Sequence, residues 1–490
     1  MVPSLRIQTL QPAPVRPDGD FVLYWMIAAR RPGWNFALQR AADWSRQLGK
    51  PLVVLEPLRV AYPWASDRLH TFVIQGMASN DRHFRSHGVT YLPYVEAEPG
   101  AGKGLLGEMA RRACLVVTDD YPTYFLPRMV AAASRSIPVR MEGVDGNGLL
   151  PMRAASGVFA RAFDFRRFLQ KQVAPHLRTM PVADPLFDLP KDPIELTPIT
   201  DRWAMASRHD LERAEHVVAR LPLDHRVRSA PATGGFEEGL RVLQRFLRER
   251  LGRYGLERNH PDDDASSGLS PYLHFGHVSA HQVASAVWDA EGWSVDRLGD
   301  KANGAKEGWW GLFAAAESFL DELVTWRELG FNMAWQRDDH DQYSSLPAWA
   351  RATLEEHASD PRDRVYDLTA FEQARTHDPI WNAAQTELVR DGRMHNYLRM
   401  LWGKNILAWS ESPRAALAIM TELNNKYALD GRDPNSVSGI FWVLGRYDRA
   451  WGPERPVFGK VRYMTSESTR RKLRLQEYLR RYGEGIRDGG

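Results

Sequence analysis

Along the chain the spacing of hydrophobic positions changes character. In the first 150 residues five short apolar runs, FVLYWMIA (21–28), PLVVLEPL (51–58), VTYLPYV (89–95), CLVVTDD (114–120) and IPVRMEGV (137–144), alternate with stretches of helical period at 35–48, 66–86, 104–112 and 126–136. Runs this continuously apolar suit strands buried on both faces, the condition of a parallel sheet covered by helices. The βαβα order therefore predicts an α/β fold, a doubly wound parallel sheet of five strands. Such sheets take ligands beyond the carboxyl ends of their strands. The glycine fingerprint for dinucleotide phosphates is missing, because GAGKG (100–104) has neither that spacing nor the spacing of a P-loop, and it reads as a plain loop.

From about Pro151 to Gly235 the strands disappear and prolines gather between Pro181 and Pro198, as in a long connector. After Phe236 helical periodicity dominates to about Tyr482, in segments such as FEEGLRVLQRFLRERLGRYG and MHNYLRMLWGKNILAW, and no repeat period shows. The expected organisation is an extension (1–20), an α/β domain (21–150), a connector (151–235), an all-α domain (236–482) and a tail (483–490).

Composition narrows the class. At 43% hydrophobic and 26% charged residues the chain is an ordinary globular protein, which excludes disordered and fibrous classes. No apolar run approaches the roughly 18 residues of a membrane span, and the start lacks the apolar core of a signal peptide, so an intracellular, membrane-free protein is expected. The single cysteine, Cys114, cannot form an intrachain disulfide, and with no Cys/His spacing of a zinc site no metal is expected. Trp occurs 17 times, and 12 of these lie between Trp288 and Trp451. Filling a large helical core accounts for an excess of this kind as readily as chemistry does. Residues 441–490 hold 12 Lys+Arg against 6 Asp+Glu, while the whole chain carries only +3. Arg outnumbers Lys 54 to 10, which suits phosphate contacts, but a bias in the source genome gives the same ratio.

The candidate chemistry lies in the helical half. In ESFLDELVTWRELGFN, Glu322 and Trp326 are four apart, one helical turn, so a carboxylate and an indole share a face. In GRMHNYLRMLWGKNILAW, His395, Arg399, Trp402 and Trp409 form one stripe, with the two indoles about 10 Å apart along the axis. Charge mixed with indoles makes a poor core unless a ligand or ion partner satisfies it. SSGLSPYLHFG (266–276) sets serines ahead of Pro271, as at a helix start able to receive a phosphate or simply to cap itself. LNNKYALDGRDPNSVSGIFW (423–442) carries more amides and carboxylates than a plain connection needs.

In order, SGLSPYLHFG, DELVTWRE, THDPIWNA, RMHNYLRMLWGKNILAW, LDGRDPN and DRAWGPERPVFGKVRYM resemble the motifs of the photolyase/cryptochrome superfamily, specifically its class II cyclobutane pyrimidine dimer (CPD) photolyases, across essentially the whole chain. The resemblance implies a Rossmann-like antenna-type domain followed by an all-α FAD-binding domain. It also implies a dimer flipped out of double-stranded DNA, an electron passed to it from light-excited FADH−, and the electron's return after ring splitting. Tyr254, Ser267, Leu269 and Ser270 match family contacts to the flavin phosphates and ribityl chain. Arg327, Asn396, Arg399 and Asp430 match groups around the isoalloxazine, Arg399 pairing with Asp430, and Phe319 and Asp433 complete the cofactor set. Asn424 matches the residue facing the flavin N5, with Asn435 as the alternative. Glu322, Trp326, Met400 and Trp442 match the dimer pocket, where Glu322 would stabilise the radical anion. Trp402, Trp381 and Trp409 match the indole chain that feeds electrons to the flavin, from innermost to outermost, while Trp349 matches no member and reads as packing. Arg449 and Arg462 around Trp451 match a DNA-binding arm, basic and aromatic residues interleaved. A second, antenna chromophore of unspecified identity belongs to the same expectation, as does a monomer acting on UV-damaged DNA. The alternative function is a cryptochrome-like photoreceptor signalling to a protein partner. The complete dimer pocket, and a chain that stops soon after the helical domain, favour repair.

Overall fold

The computed structural model describes residues 1–485, so the last five residues of the expected tail lie outside the described residues. The strands are β1 (Ile7–Gln11), β2 (Phe21–Trp25), β3 (Leu52–Leu58), β4 (Thr90–Val95), β5 (Ala113–Asp119) and β6 (Met141–Val144), in the order β1-β6-β5-β2-β3-β4. All five expected strands are present and run parallel, but the sheet has six strands and is mixed, because β1 joins it antiparallel to β6. This strand escaped the sequence reading because IQTLQ is a partly exposed edge without the long apolar run of its neighbours.

Helices α1 (Phe36–Leu48), α2 (Asp67–Ser86), α3 (Leu105–Arg112) and α4 (Leu126–Ser134) link the strands. Strand β2 shows why the runs are continuous. Val22 and Tyr24 face the core made with Phe36, Leu38 and Ala41 of α1, whereas Phe21, Leu23 and Trp25 face the core made with Leu105 and Met109 of α3. Both faces are dry, so alternation has nothing polar to alternate with. Part of the expected connector packs here too, Leu186 and Leu189 on the α1 side and Leu196, Ile199 and Trp203 on the other.

At the carboxyl edge the sheet order reverses between β2 and β5, where doubly wound folds hold nucleotides. Here Asp119 occupies that position. Its Oδ2 accepts from the backbone N–H groups of Ile27, Ala28 and Ala29 at 2.9, 2.7 and 3.0 Å, and its Oδ1 from the Tyr24 hydroxyl at 2.7 Å. The amides that would cradle a phosphate hold a carboxylate instead, in line with the missing glycine fingerprint. The GAGKG segment is a loop whose Gly100 and Gly102 N–H groups donate to buried Glu96.

Two compact units interleave along the chain. The first comprises Met1–Ala155, Gln172–Gln244 and Leu269–Val295, and the second comprises Ser156–Lys171, Arg245–Gly268 and the chain from Asp296 onward. The connector thus contributes to both units. The second unit is helical, with α5 (Ala314–Leu320), a π-helical turn (Asp321–Trp326), α6 (Arg327–Gln336), α7 (Pro379–Asp391), α8 (Asn396–Trp409), α9 (Pro413–Tyr427) and α10 (Pro434–Val443). Two glycines allow close approaches between its helices. A Cβ on Gly330 would lie 2.8 Å from the Pro434 carbonyl oxygen, and one on Gly403 would lie 2.5 Å from Val443 Cγ2, so α6 and α8 press against α10 only because these positions lack side chains. Among the described residues no helix is long and apolar enough to cross a membrane.

Candidate functional site

Helix α7 starts at a sharp cap, where the Asp378 carboxylate accepts from the Ile380 and Trp381 N–H groups at 2.9 Å each and Pro379 fills the first turn. That cap fixes Trp381 against α8. The Trp381 indole N–H donates to the Trp402 carbonyl oxygen at 3.0 Å, and the Trp402 indole donates to Gln385 Oε1 at 2.9 Å, so neither buried ring leaves a donor unsatisfied. The Trp381 and Trp402 rings are nearly parallel, at 6° with centroids 6.4 Å apart, and Trp409 follows Trp381 at 6.3 Å. Trp402 and Trp381 are 2% and 0% exposed, and Trp409 is half-buried, so the three indoles form a contiguous path from interior to surface. The spacing on α8 placed two of them on one stripe; the third inserts from α7.

One turn before Trp402 on the same helix, Arg399 pairs with Asp430 through both terminal nitrogens, at 3.0 and 3.3 Å. The expected pairing is present, and both groups remain partly exposed. His395 caps α8, its backbone N–H donating to Glu387 Oε2 at 3.0 Å, and burial pulls its ring down to about 4, so it is neutral near pH 7. Asn396, the first residue of α8, is exposed. In the last turn of α9 the buried Asn424 donates its amide to Ser436 Oγ at 2.9 Å and Asn425 Oδ1 at 3.1 Å. Asp433 caps α10 by accepting from the Asn435 N–H at 2.8 Å, which leaves the Asn435 side chain exposed. Of the two asparagine candidates, Asn424 is therefore the one held inside the helical unit. Arg327, buried at the start of α6, lies over the Phe331 ring at 4.5 Å.

The Glu322–Trp326 step differs from the expectation. These residues span a π turn in which the Arg327 N–H reaches back to the Glu322 carbonyl, so the wider turn rotates Trp326 away from its α-helical direction relative to Glu322. Both are half-buried. The Glu322 carboxylate is held by Arg258 at 2.6 Å, a partner the sequence reading missed. Arg258 is four residues after Tyr254 and its guanidinium lies 5.4 Å from that ring, but nothing in the sequence pairs it with Glu322. Tyr254 packs edge-on against Phe319 at 5.3 Å, and burial, reinforced by the Glu322 charge, pushes its hydroxyl up to about 12. Ser267 follows a loop tied by Arg250 to Asp264 at 2.7 Å and to the Ser266 carbonyl at 3.2 Å. Leu269, buried, and Ser270, exposed, belong to the first unit, at the start of a five-residue helix Ser270–His274.

A ladder of basic side chains and indoles surrounds the end of α10. Lys404 lies 5.0 Å from the Trp442 ring and donates to the Val443 carbonyl at 2.6 Å; Arg462 lies 5.6 Å from Trp442 and 4.2 Å from Trp451; Arg449 covers Trp451 at 4.4 Å. Met400 sits over α10, its Cε 3.8 Å from where a Cβ of Gly439 would be. Lys404 was also missed by the sequence reading. It is wholly buried, and burial lowers its amine to about 7. Arg462, expected to touch phosphate, pairs with Asp448 at 2.8 and 3.3 Å while its side chain stays 40% exposed, and the Trp451 indole donates to the same carboxylate at 3.1 Å. Arg449 is exposed.

Solved structures share this architecture. A class III photolyase from Agrobacterium tumefaciens matches with a TM-score of 0.69 at 17% identity, covering 95% of this chain and 86% of that one, and a Synechocystis cryptochrome with 0.68 at 16%, covering 94% and 88%. The fold is the one photolyases and cryptochromes have in common. No family model matches the chain. Deoxyribodipyrimidine photo-lyases match it nearly end to end: that of Methanothermobacter thermautotrophicus is 33% identical over 98% of both chains, and that of Potorous tridactylus is 38% identical over 94% of this chain and 80% of its own. The Arabidopsis thaliana enzyme is 32% identical over 94% of this chain and 88% of its own. The chain belongs to the photolyase/cryptochrome superfamily, in its deoxyribodipyrimidine photo-lyase family.

Proposed function

We propose that this chain repairs double-stranded DNA carrying cyclobutane pyrimidine dimers by the class II route, with reduced FAD in its helical unit. Light-driven DNA repair is the activity of its family, and the chain is a photo-lyase enzyme. The observation that carries the finer reading is the indole path Trp402–Trp381–Trp409, whose inner end lies one turn from the Arg399–Asp430 pair on α8.

The residues suit a flavin. A guanidinium–carboxylate pair and a buried amide give complementary donors and acceptors for the polar edge of an isoalloxazine, and Trp402 gives a dry neighbour. Arg327, Asn396, Arg399, Asp430, Asp433, Asn424 and Asn435 would hold the ring system, with Tyr254, Phe319 and Ser267 toward the remainder of the cofactor. When bound and reduced, the cofactor supplies an electron on absorbing light and takes it back after the ring opens. The protein's part is positional and electrostatic. Trp402, Trp381 and Trp409 relay electrons inward from the surface, and the 6.4 and 6.3 Å between successive ring centroids remove the need for any side chain to move. Trp326, Met400 and Trp442 offer apolar walls to flipped bases. Glu322, steadied by Arg258, faces charge that appears only after electron injection, so its contribution belongs to ring splitting and not to docking.

A photoreceptor reading shares the relay but gives no role to Glu322, Trp326, Met400 and Trp442. The deciding experiment exposes reduced protein and dimer-containing duplex to blue light and counts remaining dimers against a dark control. Loss of dimers only in the light is expected, and Glu322→Ala should lower the splitting yield per photon more than DNA affinity. Persistence of dimers in the light with a fully reduced, DNA-bound enzyme would overturn the proposal.

A further inference from the structure

Three metal-ligating side chains meet in the first unit, at the end of α2, outside everything assigned above. His83 and His87 are one helical turn apart, with rings 4.3 Å apart at 23°, and Asp184 reaches them from the connector. One ligand atom from each lies within 4.8 Å of the others.

The hydrogen bonds fix the protons. The His87 Nδ1 lies 2.8 Å from the His83 carbonyl oxygen, which only accepts, so Nδ1 carries hydrogen and donates. In the neutral ring Nε2 is then a bare lone pair, 3.4 Å from Asp184 Oδ2. A lone pair facing a carboxylate calls for a cation between them, either a proton on the ring or a metal ion. Second, the buried Nε2 of His83 has no hydrogen-bond partner among the described residues. A single proton on His87 would leave that nitrogen unsatisfied, whereas one ion gives each of the three side chains a partner. Third, Asp184 is held in place for the task. Its Oδ1 accepts from the Leu186 N–H at 2.9 Å, which leaves Oδ2 toward the histidines. The flanking chain is anchored by Val182 N–H to Gln39 Oε1 at 3.0 Å, and by Arg46 to the Pro185 and Phe187 carbonyls at 2.6 and 2.7 Å. Distance agrees for one pair: ligands about 2.1 Å from a tetrahedral ion lie about 3.4 Å from one another, the separation seen between His87 and Asp184. A histidine that donates its far N–H to a carbonyl is the usual arrangement of a metal ligand.

We infer that His83, His87 and Asp184 form a site for one divalent transition cation of the zinc class, with an open position for water. Two imidazoles and one carboxylate select such an ion over magnesium or calcium, which prefer all-oxygen sets. The ion would clip the connector around Asp184 to the end of α2. The histidine pair carries no Cys-containing signature and its third ligand is far along the chain, so no zinc spacing was visible in the sequence.

Calorimetric titration of tag-free, chelator-treated protein with Zn²⁺ tests the site. One saturable site is expected, with affinity lowered about tenfold or more in both His83→Gln and Asp184→Asn, no comparable binding of Mg²⁺, and a Zn²⁺-dependent rise in melting temperature that Asp184→Asn abolishes. Asp184 is half-exposed on a loop, so its variant keeps the fold and the test stands even if His83→Gln does not fold. Absence of saturable Zn²⁺ uptake, meaning that a proton alone bridges His87 and Asp184, would overturn the inference. So would an affinity unchanged in Asp184→Asn.

Discussion

At the scale of single residues, Trp402 and Lys404 sit two apart on α8 and solve opposite problems. Trp402 lies flat against Trp381 with its N–H satisfied, so phenylalanine keeps the packing and removes only the easily oxidised ring. Trp402→Phe should therefore abolish photoreduction of oxidised flavin while chemically reduced enzyme still repairs; flavin bleaching under light, followed in the purified variant, reads this directly, and an unchanged rate would remove Trp402 from the path. Lys404 is an amine with no room for its charge. Burial holds it at about 7 against an ordinary value of 10.5, so between those limits the unfolded chain binds a proton that the folded chain lacks. Stability contributed at this position is complete above the unfolded value and lost as pH falls through the folded one. Lys404→Met should flatten the rise in unfolding free energy between pH 7 and 9, measured by denaturant titration at each pH. Equal slopes in the two proteins would show that the amine titrates normally. Neither Lys404 nor Arg258 was legible in the sequence, because each gains its meaning from a partner, Trp442 or Glu322, that only the fold brings near. The Trp402–Trp409 stripe was legible, because helical period alone defines it.

At the scale of elements, what the sequence shows well is whatever has a period. Five strands and four helices of the sheet fell where apolar runs and amphipathic stretches placed them, within a few residues. Two features broke the pattern for physical reasons. Strand β1 is an edge whose residues face water in part, and the π turn at Asp321–Trp326 inserts an i→i+5 bond that no periodicity analysis at 3.6 residues anticipates. The seam between α8 and α10 gives a test at this scale. Alanine at Gly403 would gain about 1 kcal/mol of helix propensity, but its Cβ would meet Val443 Cγ2 at 2.5 Å, and overpacking of this kind costs about 1–3 kcal/mol. Gly403→Ala should be destabilising on balance in urea titration, and a more stable variant would mean the seam can yield.

At the scale of the whole molecule, the excess charge of residues 441–490 was plain in the sequence, but its use was not. Arg462 is tied to Asp448 and stacked on Trp451, so it shapes the arm, and Arg449 is the exposed cation beside it. Loss of one phosphate contact should make the slope of log affinity against log salt shallower by about one unit. Arg449→Ala should show that change with damaged duplex, and Arg462→Ala should instead alter the fluorescence of Trp451. An unaltered slope for Arg449→Ala would place the phosphate contacts elsewhere.

The interleaving of the two units sets a schedule for biosynthesis. The first unit needs residues up to Val295, although its sheet is complete by Val144. At about 5–20 residues per second, a growing chain would carry a finished sheet without its last covering segments for roughly 10–30 s. During that interval Ser156–Lys171, which belongs to the second unit, has already emerged with nothing of its own to fold against. Nascent chains stalled near residue 235 should thus remain open to protease, and chains stalled well past Val295 should resist it over the first unit. Protection already complete in the shorter chains would mean that the sheet closes without waiting for the rest.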